Sequence, residues 1–170
     1  MKPLIDNCVQ LKELNLRNVR ITKEAIDYLV ANLTPNIEGL SLSGLGHLIV
    51  IDNEIKILVS RCKNLSSLDL KHTGIRDDGL TAIIENLQDT LENLNVAGTS
   101  ISSESLEQLY ECQLLMVLIC DGNPKRPRLH GVKVNHRPNI TVASSAYRVF
   151  EKHSKSKDKH WGWQTPTGPP

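Results

Sequence analysis

The sequence is poor in aromatic residues, with one Phe, three Tyr and two Trp among 170 residues. Hydrophobic residues make up 39% of the chain, which is enough for a sizeable core in one domain. Because aromatic residues are few, this core must be aliphatic. No apolar run reaches the roughly 18 residues of a membrane span, and the first residues lack the apolar segment of a signal peptide. We therefore expect a cytoplasmic or nuclear protein that does not enter a membrane.

Signatures of catalysis are also lacking. The sequence has no P-loop, no GxGxxG after a strand, no HExxH and no GxSxG. Its six histidines are scattered, and we interpret His47 and His72 as exposed residues of loops that follow strands rather than as one shared site. We predict that the chain is not an enzyme and uses no cofactor or metal ion.

Residues 62–87 combine a strand pattern and a helix pattern in one unit. Leu65, Leu68 and Leu70 have the LxxLxL spacing of a short strand and turn. From Ile75 onward the apolar residues are three to four apart, as on the buried face of a helix. Such a unit cannot bury its apolar side chains alone, so we expect it to stack on similar units.

Similar units occur along the chain. The middle strand leucine recurs at separations of 26, 28, 26 and 24 residues, at Leu14, Leu40, Leu68, Leu94 and Leu118. Residues 21–26, 75–80 and 101–106 each open a helical pattern, and the capping or acidic residues there are Thr22, Asp77, Asp78 and Ser102. In the second copy, the segment 44–54 contains an apolar run where the other copies have a cap, which predicts a longer loop. These spacings predict an α/β leucine-rich-repeat solenoid, a horseshoe like ribonuclease inhibitor, with five parallel strands on the concave face and helices on the convex face.

Three of the four cysteines occupy one equivalent position in different repeats. Cys8, Cys62 and Cys112 each precede the first strand leucine by three residues, and Cys120 takes an inward strand position. Successive repeats hold equivalent positions apart, and no CxxC motif is present. We interpret all four as small buried hydrophobic residues rather than as disulfides, a zinc site or a redox site.

The charges divide the chain into two parts. Residues 1–123, the predicted repeats, contain 10 Lys and Arg against 17 Asp and Glu, whereas residues 124–170 contain 10 against 2. We predict a C-terminal cap at 124–150, with two short strands within 132–142, and a basic, flexible tail at 151–170. Trp161 and Trp163 in this tail either dock on the repeats or bind another molecule, and a solvated tail is the alternative to docking. The basic run at 125–128 lacks interleaved aromatic residues, so we do not expect nucleic-acid binding.

The strand positions between the leucines form the predicted binding surface. They should stack into polar columns on the concave face, where the parallel strands fix them before a partner binds. Ile119 and Asp121 end two of these columns. The residues that we expect to contact a protein partner are Asn15, Arg17, Ser41, Asp69, Lys71 and Asn95.

The phrases CKNLSSLDLKHTGIRDDGLTAI (62–83) and LENLNVAGTSISSESLEQLYEC (91–112) resemble the cysteine-containing class of leucine-rich repeat, which is common in F-box substrate receptors. The segments 134–136, 152–159 and 161–162 also resemble the end of such a receptor. The resemblance implies that the repeats present a substrate, that the tail folds back along the concave face, and that an F-box recruits a cullin ubiquitin ligase. No F-box precedes the repeats, and the chain opens in mid-repeat, which predicts a fragment, a short isoform or an incomplete gene model.

Together these patterns predict a monomeric, non-catalytic protein-interaction module. We expect it to be the substrate-recognition part of an F-box ubiquitin ligase, with a ligase substrate as its partner. A free-standing adaptor or regulator that binds a protein without ligase activity is the first alternative. An enzyme or nucleic-acid binder whose chemistry lies in the tail is the second.

Overall fold

The computed structural model describes residue 5, residues 7–45, residue 49, residues 51–120 and the backbone of residues 141–144. His47, Asp121, the tail at 151–170 with Trp161 and Trp163, and the predicted cap apart from 141–144 therefore lie outside the described residues.

Strands and helices alternate along the chain, so the protein belongs to the α/β class. The strands are β1 (Glu13–Asn15), β2 (Gly39–Ser41), β3 (Ser67–Asp69), β4 (Asn93–Asn95), β5 (Val117–Cys120) and β6 (Thr141–Ser144). The helices are α1 (Lys23–Asn32), α2 (Asp52–Arg61), α3 (Asp77–Leu87) and α4 (Ser103–Glu107), which continues as a 3₁₀ helix, Gln108–Glu111. The strands form one parallel sheet whose order follows the chain, with β6 beside β5.

The leucines that align in the sequence also align in the sheet. Leu14, Leu40, Leu68, Leu94 and Leu118 pair with one another in register across β1 to β5, as their spacing predicts. All five are buried, and they join one core cluster built from Leu, Ile, Val, Ala and Cys side chains. The aliphatic core expected from the scarcity of aromatic residues is therefore present in the described part of the chain.

Side-chain caps begin two of the helices. The Thr22 hydroxyl accepts a hydrogen bond from the Ala25 N–H at 3.3 Å, and the Ser102 hydroxyl accepts one from the Ser105 N–H at 3.2 Å. α2 follows Ile51, which makes no side-chain cap, in agreement with the apolar run in that copy. None of the described helices has the length and apolar character needed to cross a membrane.

Acidic residues link the start of one helix to the next unit. Asp52 Oδ1 accepts a hydrogen bond from the Arg76 N–H at 2.8 Å, and Asp77 Oδ1 accepts one from the Ser102 N–H at 2.7 Å. Each bond satisfies a backbone donor immediately before the following helix. The hydrogen bond from the Ser102 backbone lowers the pKa of Asp77, because it favours the charged carboxylate.

We expect Asp77→Ala to lower the free energy of unfolding by about 1 kcal/mol at neutral pH, the usual effect of losing a cap. Asp78→Ala is the matched control, because Asp78 also lies in the first turn of α3 but its ion-pair contact, to Lys56 at 3.9 Å, is exposed. The folded-state pKa of Asp77 is lowered, so the contribution of Asp77 to stability should be present above the ordinary pKa of 3.8 and lost as the pH falls through the folded-state pKa. Urea unfolding at several pH values measures this; equal losses in both variants would contradict the linking role.

The cysteine thiols are part of the packing. Cys62, Cys112 and Cys120 are buried and Cys8 is half-buried, and none forms a disulfide. Cys62 Sγ donates to the Thr34 carbonyl oxygen at 3.7 Å, a bond between neighbouring units. Burial raises the pKa of Cys62 and raises that of Cys112 to about 11, so both thiols are protonated and unreactive at neutral pH.

Candidate protein-binding surface

The side of the sheet opposite the leucine core carries columns of register-paired side chains, which we call the strand face. One column contains Glu13, Gly39, Ser67, Asn93 and Val117. The next contains Asn15, Ser41, Asp69, Asn95 and Ile119. Side chains two residues apart on a strand point to the same side, so the two columns form one continuous surface.

The six residues expected to contact a partner differ in exposure. Asn15 and Arg17 are exposed and Lys71 is half-buried. The three in the middle of the surface, Ser41, Asp69 and Asn95, are only 2%, 3% and 4% exposed. The long, exposed side chain of Arg17 therefore lies at one edge of the sheet, and the polar groups at the centre are covered.

Three of these residues share a structural role that the sequence analysis did not anticipate. Oδ1 of Asn15, Asp69 and Asn95 accepts a hydrogen bond from the backbone N–H two residues later, at 3.0 to 3.1 Å. Asn and Asp are favoured at such turns because their short side chains reach this donor. The side-chain oxygen thus fixes the end of each strand, whether or not a partner is bound.

Asp69 is the one carboxylate at the centre of the strand face. Its second oxygen, Oδ2, accepts a hydrogen bond from the Ser41 hydroxyl at 3.2 Å. Burial raises the pKa of Asp69, and this outweighs the hydrogen bonds and the nearby charges of Arg17 and Lys71, which lower it. The charged form of Asp69 is therefore poorly compensated within the described residues.

Ser67 was not among the predicted contact residues. It is 3% exposed, and its Oγ has no hydrogen-bond partner among the described residues. Buried hydroxyls are usually hydrogen-bonded, so an unpaired one draws attention to the surface around it. Its sequence position would have identified it, since Ser67 stands in the strand column before Asp69, but the prediction used only the following two columns.

Residues just beyond the strands have left-handed backbones at a repeated position. Asn18, Gly44, His72 and Gly98 have φ values of 57°, 82°, 53° and 65°. The Asn18 side chain lies over the Cα of Gly44, and the His72 side chain lies over the Cα of Gly98. His72 is thus in a loop after a strand, as predicted, and is exposed.

Among the described residues, the helix side offers no comparable group of side chains. A shallow groove of about 420 Å³ between α2 and α3 is lined by Lys56, Asp78, Thr81, Ala82, Glu85 and Asn86. Its one ion pair, from Lys56 to Asp78, is long and exposed. In the described part of the chain, no three His, Cys, Asp or Glu residues are grouped as metal ligands. The strand face is therefore the better candidate surface.

No protein-family model matches this chain. Among solved structures, the fold is similar to that of leiomodin-1 actin-binding site 2. The TM-score is 0.55 and the sequence identity is 19%, over 72% of this chain and 77% of that chain. At this identity the similarity concerns only the arrangement of strands and helices.

The raised pKa of Asp69 leads to a prediction for Asp69→Asn. Below the ordinary pKa of 3.8 the carboxyl group is protonated and the two proteins should be about equally stable. As the pH rises through the folded-state pKa, the contribution of the Asp69 carboxyl group to the stability of the wild type is lost. The variant should therefore become more stable relative to the wild type. Asn preserves the bond to the Lys71 N–H, as Asn15 and Asn95 show at equivalent positions.

Urea unfolding of wild type and Asp69→Asn between pH 3 and pH 7 measures this difference. Asn95→Asp is the matched control, because it places a second carboxylate in the same column and should show the opposite trend. A wild-type protein that gains stability over the variant as the pH rises would contradict the prediction.

Proposed function

We propose that the chain is a non-catalytic protein-binding module of leucine-rich-repeat type, and that a partner protein binds its strand face. The supporting observation is the continuous set of polar side chains on register-paired strands, with Ser41, Asp69 and Asn95 held by the sheet and by bonds to neighbouring groups. A surface fixed before binding loses little conformational entropy when a partner arrives.

The repeated unit supports the leucine-rich-repeat assignment. Each of the first four units contains a three-residue strand and a helix, and the strand leucines are paired in register at the spacings of such repeats. The similar structure in leiomodin-1 is named as an actin-binding site, so at least one protein of similar fold binds another protein.

The more specific proposal is that the partner is a substrate of an F-box ubiquitin ligase. It is supported by the sequence resemblance of residues 62–83 and 91–112 to the repeats of F-box substrate receptors. In that role the chain would hold the substrate, and the ligase subunits would supply the chemistry. A free-standing adaptor, which binds one protein without a ligase, is the alternative.

Photo-crosslinking from two positions tests the proposed surface. A crosslinking amino acid replaces Arg17, at the exposed end of the strand face, or Ile57, which is 46% exposed on helix α2. We expect one partner to be crosslinked in cells from position 17 and not from position 57. Crosslinking from position 57 alone would contradict the strand face as the binding surface.

The identity of the crosslinked and co-purified proteins separates the two roles. Cullin-ligase subunits together with a ubiquitylated partner would support the ligase role. A single stoichiometric partner without ligase subunits would support the adaptor. Actin as this partner would be one form of the second outcome.

A further inference from the structure

The connections from strand to helix carry positive charge in a part of the chain that is otherwise acidic. Residues 1–123 contain 10 Lys and Arg against 17 Asp and Glu. The first three connections, 16–22, 42–51 and 70–76, contain no acidic residue. Positive charge is therefore concentrated at the edge of the sheet where the strands end. Four exposed or half-buried basic residues lie in these connections: Arg17, Arg20, Lys71 and Arg76.

Arg17 and Lys71 occupy equivalent positions two units apart. The Asn18 N–H donates a hydrogen bond to the Ser43 carbonyl oxygen at 2.8 Å. The Gly44 N–H donates one to the Lys71 carbonyl oxygen, also at 2.8 Å. The three turns therefore lie side by side, with Ser43 between the two basic residues. Since neighbouring strands are about 4.8 Å apart, the Cα atoms of Arg17 and Lys71 are separated by about 10 Å.

The backbone that presents these two cations is fixed by hydrogen bonds. The Arg17 N–H donates to Oδ1 of Asn15 at 3.0 Å, and the Lys71 N–H donates to Oδ1 of Asp69 at 3.1 Å. The next residue in each turn has a left-handed backbone, which repeats the same geometry in both units. Only the two long side chains would therefore lose freedom when a ligand binds between them.

The charges of Arg17 and Lys71 act on the same region of the sheet. Burial raises the pKa of Asp69, and the charges of Arg17 and Lys71 both oppose this shift. Arg17 acts on Asp69 from two strands away, so its charge extends across the unit between them. Neither cation takes part in an ion pair within the described residues. Two unpaired cations over one region attract an external anion.

The geometry of the two cations indicates which anion they would bind. Both can be reached, because Arg17 is exposed and Lys71 is half-buried. Ser43 and Gly44, in the unit between them, have no long side chain to fill the intervening space. A guanidinium group matches a carboxylate with two parallel hydrogen bonds, and an ammonium group donates to a second carboxylate. An extended peptide rises about 3.3 Å per residue, so carboxylates two or three residues apart can meet both cations.

We propose that Arg17 and Lys71 form a subsite that receives an acidic segment of the partner protein, with two Asp or Glu residues two or three positions apart. The proposal rests on the proposed function, because it assumes that a protein binds the strand face. The Arg17 guanidinium donates to one carboxylate and the Lys71 ammonium donates to the other. The subsite thus selects the acidic segment at the edge of the strand face, where the side chains are accessible.

Selection from a displayed library of random peptides on the full chain tests the subsite. Peptides that bind the wild type should share two acidic residues at the proposed spacing. Arg17→Gln and Lys71→Gln should each weaken their binding about threefold, and the double variant about tenfold, as expected for accessible ion pairs. Lys56→Gln is the matched control: it removes one exposed positive charge on the helix side and should leave binding unchanged.

Two further measurements distinguish this subsite from general attraction between opposite charges. Asp69→Asn should tighten peptide binding about twofold at pH 7, because it removes a negative charge near both cations and keeps the bond to the Lys71 N–H. Arg17→Glu should abolish binding of a selected peptide, and exchanging one of the peptide's acidic residues for Lys should restore it. Circular dichroism establishes that each variant is folded.

The adverse outcomes have different meanings. Peptides that crosslink from position 15, an exposed site on the strand face, but lack acidic residues would overturn the subsite and leave the proposed function standing. The same holds if Lys56→Gln weakens binding as much as Arg17→Gln. A selection that yields no peptide crosslinked from position 15 would count against the proposed function and the subsite with it.

Discussion

Replacing Leu68 by alanine is expected to lower the free energy of unfolding by about 2–5 kcal/mol, the usual range when a buried leucine side chain is truncated and leaves a cavity. Leu68 is fully buried and lies in register between Leu40 and Leu94, so the cavity would face two neighbouring units. Each unit packs only against its neighbours, and a defect in the middle therefore weakens both adjoining contacts.

Leu114→Ala is the control for this prediction. Leu114 is 48% exposed, and its truncation should change stability by less than about 0.5 kcal/mol. Urea unfolding followed by far-ultraviolet circular dichroism measures both variants. A loss below about 1 kcal/mol for Leu68→Ala would mean that neighbouring side chains fill the space, and the leucine column would then not be the principal stabilising element.

The core could be predicted from the sequence because its pattern is repeated. One unit is ambiguous by itself, but Leu40, Leu68 and Leu94 recur at similar spacings of 28 and 26 residues, so the register of β2, β3 and β4 follows from one alignment. The helix starts after Thr22 and Ser102 were also predictable, because a Ser or Thr that precedes an apolar helical pattern commonly caps the N-terminus of the helix.

The candidate site was less predictable because burial depends on neighbours in space. The sequence places Asn15, Asp69 and Asn95 at equivalent positions and predicts that they project from the sheet. It does not show that Asp69 is covered while Asn15 is exposed, because that depends on how the adjoining strands and loops pack. The unpaired hydroxyl of Ser67 is likewise apparent only when all neighbouring donors and acceptors are placed.

The left-handed residues are another feature that spacing alone did not indicate. A positive φ is unusual for His72, since the left-handed region costs most residues about 1–2 kcal/mol. Gly98 occupies the equivalent position of the next unit and has no Cβ, which leaves room for the imidazole ring. A larger residue at one unit is thus accommodated by glycine at the next.

We expect Gly98→Ala to lower the free energy of unfolding by about 2–4 kcal/mol, from backbone strain and overpacking together. Its φ of 65° is unfavourable for alanine, and the new Cβ would overlap Nδ1 of His72. Urea unfolding measures the loss. Gly44→Ala is an informative comparison, because it has the same strain at φ 82° but would meet the smaller side chain of Asn18.

A double-mutant cycle with His72→Gly separates the two causes. Removing the imidazole should relieve the overlap, so Gly98→Ala should cost about 1–2 kcal/mol less in the His72→Gly background than in the wild type. The backbone strain at position 98 remains in both backgrounds. His72→Gly combined with Gly44→Ala should instead be additive, because the structure places the Asn18 side chain, not His72, against Gly44. Equal coupling in the two pairs would show that the effect spreads through the loops rather than arising from the contact between His72 and position 98.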